Sequence, residues 1–151
     1  GYSLARRIVF DEAGLGPDDE IPGAGGSAAD LLLAVHRSYL PEITALRGRI
    51  EIRGLAHITG GGLIDNVPRV LPAGCAVEIE RDAWAVPPLF RYLQRAGKVD
   101  PGEMYRVFNM GIGMVVIAPR GETDLAAGDD LRWRPFPIGR VIEGNGTVKL
   151  V

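Results

Sequence analysis

Apolar residues recur at helical spacing in several stretches of the chain. Leu4 is followed four and five residues later by Ile8 and Val9, with Arg6 and Arg7 towards solvent, and this predicts a helix over Tyr2–Ala13. A second helix is predicted over Ala28–Tyr39, with Ser27 as N-cap and with Leu31, Leu32 and Val35 on the buried face. Prolines, caps and apolar spacing predict four more helices. These run from Pro41 to Arg47, over Leu63–Leu71 with a break at Pro68, over Pro87–Ala96, and from Asp100 to Phe108.

Alternating or continuous apolar runs predict strands over Ile50–Ile58, Ala76–Glu80, Ile112–Ala118, Ile138–Glu143 and Thr147–Leu150. The run 112–118 is almost entirely apolar, which predicts a central strand. The last two strands flank the turn Gly-Asn-Gly, which predicts a hairpin. No element is predicted over 119–137. Because helices and strands alternate without a regular βαβ period, we expect an α+β fold, a mixed sheet flanked by helices in layers.

The composition excludes several classes of protein. With 151 residues, 46% hydrophobic and 24% charged, the chain is expected to form one globular domain over residues 1–151. A net charge of -2 argues against a nucleic-acid partner, and no apolar run approaches the roughly 20 residues of a membrane span. The single Cys75 excludes an intrachain disulfide and a cysteine metal cluster, and two histidines are too few to favour zinc. No metal site is predicted, and a cytoplasmic location is expected.

The segment His57-Ile58-Thr59-Gly60-Gly61-Gly62 joins a predicted strand to a predicted helix. Glycines allow backbone N–H groups to converge on an anion, and the start of a helix adds further donors. Thr59 is placed either to cap that helix or to bond a phosphate oxygen. The alternative is a plain glycine turn with His57 satisfied inside the fold, and the residues alone do not decide between the two.

A second candidate is Asn109, in the segment Met104–Met114, "MYRVFNMGIGM". Asn109 lies where a helix ends and an apolar strand begins, and there an amide can contact a bound ligand. The residues alone favour a helix C-cap, a position in which Asn tolerates left-handed backbone angles. Met104, Met110 and Met114 are expected to pack in the core.

Three blocks of the sequence resemble the C-terminal half of phosphoribosylformylglycinamidine cyclo-ligases, the aminoimidazole ribonucleotide synthetases of purine biosynthesis. They are "LAHITGGGLIDNVPRVLP" (Leu55–Pro72), "WAVPPLFRYLQRAGKV" (Trp84–Val99) and "EMYRVFNMGIGMVVI" (Glu103–Ile117). The opening "GYSL" also resembles that family, which has Ser-Asn-Gly-Tyr-Ser-Leu there. This resemblance implies a C-terminal domain of a longer enzyme whose N-terminal, ATP-binding half is not in the chain.

The activity implied by the resemblance is an ATP-dependent ring closure. ATP activates the formyl amide oxygen of formylglycinamidine ribonucleotide, an amidine nitrogen attacks that carbon, and phosphate leaves as aminoimidazole ribonucleotide forms. The implied ligands are ATP, Mg²⁺ bound mainly by the absent half, and a nucleotide substrate. The implied protein partners are the N-terminal half and a second copy, as a homodimer at full length.

The resemblance also implies roles for individual residues. Thr59, Gly60, Gly61 and Gly62 would contact phosphate or substrate, and His57 and Asn109 would be catalytic residues in the same cleft. Where the family has a Glu-Pro-Thr-Arg-Ile-Tyr-like run, this chain has Ala34 to Tyr39, and only Arg37 and Tyr39 match.

Two other functions compete with a cyclo-ligase domain that is inactive on its own. The chain is alternatively a non-catalytic fragment that provides an interaction face for its missing half. It is alternatively a domain of a related ATP-using enzyme: formylglycinamidine synthetase, selenide water dikinase or thiamine-phosphate kinase.

Overall fold

The computed structural model describes residues 1–122, 126 and 131–151, and it confirms an α+β fold. Its α-helices are α1 (Tyr2–Arg6), α2 (Ala28–Leu32), α3 (Leu40–Leu46), α4 (Gly62–Asn66), α5 (Pro88–Ala96) and α6 (Pro101–Val107). Its strands are β1 (Gly54–His57), β2 (Cys75–Ile79), β3 (Met114–Ile117), β4 (Gly139–Glu143) and β5 (Val148–Leu150). Short 3₁₀ helices cover Val67–Val70 and Arg81–Ala83.

The first predicted helix is confirmed, although its second half is wound as a π-helix over Arg7–Glu12. Ile8 and Val9 on this segment are fully buried in the main core. Gly97, just after α5, has no room for a Cβ because the Ile8 side chain fills that space. The N-terminal helix is therefore packed directly against the end of α5.

The predicted helix over Ala28–Tyr39 is wrong beyond its first turn and a half. Ser27 caps α2 as expected, since its hydroxyl oxygen accepts from the Asp30 N–H at 3.1 Å. The helix nevertheless ends at Leu32, and Val35, expected on the buried face, is 94% exposed. Leu31 and Leu32 pack partly against the main core, whereas Val35 meets no covering surface within the described residues.

β4 and β5 do not form the predicted hairpin. They lie on opposite sides of β2, with β4 antiparallel and β5 parallel to it. The turn between them crosses the start of β2, where the N–H groups of Gly144 and Gly146 donate to the carbonyls of Gly74 and Cys75. These bonds attach the turn to the start of β2, and β4 and β5 therefore lie on either side of β2.

β3 pairs with β1 in an antiparallel two-stranded sheet, with His57 opposite Met114. The prediction that 112–118 forms a central strand is therefore wrong for the part of the chain that the structure describes. The strand is also half-buried rather than enclosed. This small sheet carries the two segments that the sequence marks as functional to one edge of the domain.

The predicted break at Pro68 is confirmed, since α4 gives way there to the 3₁₀ turn Val67–Val70. Met104 and Met110 are buried in the main core, as expected, whereas Met114 on β3 is only half-buried. In residues 1–122, 126 and 131–151, no helix has the length and apolar character needed to cross a bilayer.

Candidate functional site

Two loops that lie far apart in sequence run side by side at the edge of the β1–β3 sheet. One joins β1 to α4 and contains the glycines, and the other joins α6 to β3 and contains Asn109. The Ile58 N–H donates to the Gly113 carbonyl at 2.9 Å, and Gly62 lies against the carbonyl of Phe108. The structure thus brings together the two motifs that the sequence marks separately.

The three consecutive glycines differ in what surrounds them. Gly60 has open space where a Cβ would stand. Gly61 and Gly62 have φ values of +100° and +56°, a region that favours glycine. Gly62 is also buried, and a Cβ there would collide with the carbonyl oxygens of Tyr105 and Phe108 at the end of α6. Gly62 is therefore required for packing, whereas Gly60 faces solvent.

Asn66, which the sequence reasoning did not select, organises the glycine loop from inside. Its buried amide Nδ2 donates towards the carbonyls of Gly62 at 2.8 Å, Gly60 at 3.1 Å and Thr59 at 3.4 Å. The only signal in the sequence is its place in the block "LIDN", within the resemblance to the cyclo-ligases.

The contacts of Asn66 determine where the loop N–H groups point. In a trans peptide the carbonyl and the following N–H point in opposite directions, and the described residues contain no cis peptide bond. The Thr59 and Gly60 carbonyls face Asn66, so the N–H groups of Gly60 and Gly61 face away from it. Within the described residues these two N–H groups have no acceptor. Two adjacent free donors on a glycine turn form an anion-binding concavity.

Thr59 is exposed and its hydroxyl does not cap α4, whose N-cap is Gly61 without a side-chain bond. The capping alternative for Thr59 is therefore wrong. Gly62 directs its N–H to the Thr59 carbonyl at 3.0 Å. This hydrogen bond closes the turn. A ligand contact by Gly62 stays a prediction.

Charges beside the loop are balanced. Asp65, in the first turn of α4, lies close to Gly61, and Arg106 of α6 donates to its carboxylate at 3.1 Å. An unpaired carboxylate here would repel an anion, so this ion pair removes an obstacle to anion binding. Both side chains are about half exposed, and the pair adds little to stability.

Asn109 does not cap α6, because the C-cap residue is Phe108. Its Oδ1 instead accepts from the Gly111 N–H at 2.9 Å, which closes a tight turn. Met110 takes the left-handed backbone conformation in this turn, with φ of 53°, and the Trp84 indole N–H donates to its carbonyl at 2.9 Å. With Oδ1 engaged, the amide nitrogen is the part of Asn109 that remains for a ligand.

His57 is exposed at the end of β1, which contradicts the alternative of a histidine satisfied inside the fold. Its Nε2 lies 2.9 Å from Nε2 of His36, and the two rings share one hydrogen bond. Tyr39 completes a cluster of three rings, with centroids 5.7 Å from His36 and 6.1 Å from His57. Burial raises the pKa of the Tyr39 phenol, and the Arg37 charge opposes this weakly. Sequence reasoning did not find His36, because its partner lies 21 residues away.

The site is an open surface, because His57, Thr59 and Gly60 are all exposed. Two surface depressions, of 370 and 470 Å³, are lined by other residues and contain none of the predicted site residues. In the part of the chain that the structure describes, no group of three or more His, Cys, Asp or Glu side chains is arranged to hold a metal ion.

The α+β fold thus places a glycine turn and the Asn109 loop side by side at one edge of the β1–β3 sheet. The profile of the family described as AIR synthase related protein, C-terminal domain, matches residues 1–151, and the chain belongs to that family. This confirms the resemblance on which the sequence predictions relied.

Several curated relatives carry the name phosphoribosylformylglycinamidine cyclo-ligase. The chain is 48% identical to that of Citrifermentans bemidjiense and 50% identical to that of Geobacter sulfurreducens, in each case over its full length. It is 41% identical over 99% of its length to that of a Thermoanaerobacter species. It spans 44–45% of the length of these relatives, so it corresponds to part of a larger enzyme.

Proposed function

We propose that this chain is the C-terminal domain of an ATP-dependent phosphoribosylformylglycinamidine cyclo-ligase, which closes the imidazole ring of aminoimidazole ribonucleotide. The observation that carries the proposal is the glycine turn with two N–H groups turned outward, in a chain that is 41–50% identical to proteins of that name. The names of these relatives favour it over formylglycinamidine synthetase, selenide water dikinase and thiamine-phosphate kinase.

The proposed role of the turn is to bind phosphoryl oxygens. ATP supplies the phosphoryl group that turns the formyl amide oxygen into a leaving group. Thr59, Gly60 and Gly61 would hold anionic oxygens through backbone N–H groups and a hydroxyl, and such preorganised donors stabilise developing charge. Gly62 and Asn66 would keep these donors aimed outward.

The proposed roles of His57 and Asn109 follow from their place beside the turn. His57 would contact the substrate or exchange a proton with it through its exposed ring. Asn109 would donate from its amide nitrogen. No residue of this chain is assigned to Mg²⁺, and we propose that the N-terminal half supplies the magnesium ligands.

We further propose that this half, the nucleotide substrate and a second copy of the enzyme are the partners of the chain, in the cytoplasm. The open surface at the glycine turn supports a cleft that another part of the enzyme closes. The chain on its own is then expected to be inactive. Measurable cyclisation by the purified 151-residue chain would contradict this.

Gly60→Val in the full-length enzyme is the sharpest test of the anion turn. Gly60 has open space around it and no left-handed φ, so valine is accommodated by the fold while its side chain covers the donors. We expect kcat for ring closure to fall about 100-fold or more, as when an oxyanion donor is lost.

Gly48→Val is the matched control, because Gly48 lies in a solvent turn with only an ordinary contact at its Cβ position. Asn109→Ala should also lower turnover. Full turnover by both Gly60→Val and Asn109→Ala would show that the site assignment is wrong. The assay follows imidazole formation and phosphate release together.

A second candidate function is that of a non-catalytic interaction face. It is favoured by the exposed apolar residues Leu33, Val35 and Leu40, which are 70%, 94% and 73% exposed. This function is compatible with the first, because a domain of an enzyme can both line the cleft and bind the other half.

A further inference from the structure

The ring cluster of His36, Tyr39 and His57 contains a partner for the proposed catalytic histidine. His57 comes from β1, whereas His36 and Tyr39 come from segment 33–39, which has neither helix nor strand. The His36 and His57 ring centroids are 5.1 Å apart, and their Nε2 atoms are at hydrogen-bond distance. The proposed function so far uses only His57.

Segment 33–39 is held in place by two residues that follow His36, Arg37 and Tyr39. The Arg37 guanidinium lies over the Trp133 ring, 3.7 Å from its centroid, in a cation–π contact. The Tyr39 hydroxyl occupies the space beside the Cα of Gly113, where any Cβ would collide with it. His36 is thus attached to the domain through its near neighbours, although the segment lacks regular structure.

His57 needs such a partner. The pairing of His57 with Met114 and the bond from Ile58 to Gly113 fix its backbone. Its side chain is exposed, so burial does not determine how the imidazole is turned. An exposed ring that is free to rotate presents either nitrogen, in either tautomer, to a ligand.

We propose that His36 is a positioning residue that fixes the ring orientation and the tautomer of His57. This inference rests on the proposed function, because it concerns the histidine placed in the substrate cleft. The shared bond engages Nε2 of His57, so that Nδ1 is the nitrogen presented to the substrate.

The bond also couples the two tautomers. A hydrogen bond between two imidazole nitrogens needs one donor and one acceptor. If His36 donates, the neutral His57 carries its hydrogen on Nδ1 and offers a donor to the substrate. If His57 donates, its Nδ1 has a lone pair and can accept a proton. Either arrangement is a single defined state, which an exposed histidine alone does not have.

The first test reads the tautomers without any assay of turnover. The 151-residue chain is labelled with ¹⁵N-histidine, and the ring nitrogens are assigned at a pH where both rings are neutral. We expect complementary tautomers in the wild type. In His36→Leu the His57 nitrogens should shift to the averaged pattern of an exposed ring, whereas His36→Gln, whose amide can still bond Nε2, should keep a single tautomer. Ser38→Ala, an exposed neighbour, is the control.

The second test uses the full-length enzyme. His36→Leu should lower kcat roughly 10- to 100-fold, the cost of a misplaced reacting group, with a smaller change in KM. His36→Gln should recover most of the lost rate. An unchanged His57 tautomer in His36→Leu, or equal kcat for the Leu and Gln variants, would overturn the inference. Full turnover by His57→Ala would instead refute the role of His57 in the proposed function, and the ¹⁵N spectra would still decide whether His36 orients the ring.

Discussion

Gly60 and Gly62 lie in the same turn but have different structural roles. Gly60 contributes an outward N–H and has free space, and Gly62 contributes the close approach of the loop to α6. A run of three glycines indicates backbone freedom, but which glycine needs it depends on α6, about 40 residues further along the chain. The role of the Asn66 amide also depends on the fold, because only the folded turn places three backbone carbonyls around it.

Gly62→Ala should destabilise the domain, and Gly60→Ala should not. A Cβ at Gly62 meets two backbone carbonyls, which cannot move aside, and its φ of +56° is strained for alanine. We expect a loss of about 2 kcal/mol or more in the free energy of unfolding. Gly60→Ala should stay within about 0.5 kcal/mol of wild type. Urea unfolding monitored by circular dichroism measures both, and equal midpoints for the two variants would contradict this assignment.

At the scale of elements, β2 is joined to both of its neighbours by one carboxylate. Glu78 faces Arg140 on β4 and Lys149 on β5 in the strand register, with ion-pair distances of 2.6 and 3.3 Å. The hydrogen bond from Arg140 and then that from Lys149 lower the pKa of the Glu78 carboxyl below its ordinary value of 4.5. Cross-strand charge pairs of this kind support the order β4-β2-β5.

This pair of contacts predicts a dependence of stability on pH. A carboxyl whose pKa is lower in the folded state stabilises the fold fully above its unfolded value, and the effect is lost as the pH falls through the folded value. Wild type should therefore lose stability on acidification from above pH 4.5, and Glu78→Gln should lose less over the same range. Denaturant unfolding at a series of pH values measures the difference.

Glu80→Gln is the control, because Glu80 is exposed and has no ion pair among the described residues. Parallel pH curves for wild type and Glu78→Gln would argue against the bridging role of Glu78. A difference for Glu80→Gln of the same size would show that the effect reflects net charge alone.

At the scale of the whole molecule, the strongest apolar exposure lies in one segment. Leu33, Val35 and Leu40 flank the ring cluster, and the described residues leave them uncovered. The chain spans less than half the length of its curated relatives, and we propose that the N-terminal half covers these residues. Helix spacing predicts that Val35 is buried, and contact with the proposed N-terminal half would bury it.

Replacing these three residues by serine should weaken association with the separately produced N-terminal half. Burial of each such side chain contributes about 1.5–3 kcal/mol, so we expect the Kd to rise at least about tenfold. Isothermal titration calorimetry of the two halves measures it. Phe136→Ser is the control, since Phe136 is half exposed but lies outside the segment. An unchanged Kd, or no association of the wild-type halves at micromolar concentration, would contradict an interface at this segment.

The local patterns of the sequence determined most elements, because caps, prolines and apolar periods act within a few residues. They correctly predicted the cap at Ser27, the break at Pro68 and the helices after Pro87 and Asp100. The sequence motifs were also sufficient to indicate the family, and they marked two loops that the structure brings together. Only the tertiary structure determined that β2 lies between β4 and β5, that Val35 is exposed, and that His36 contacts His57. Each of these depends on contacts between residues distant in sequence, and their free energy is realised only when the surfaces meet.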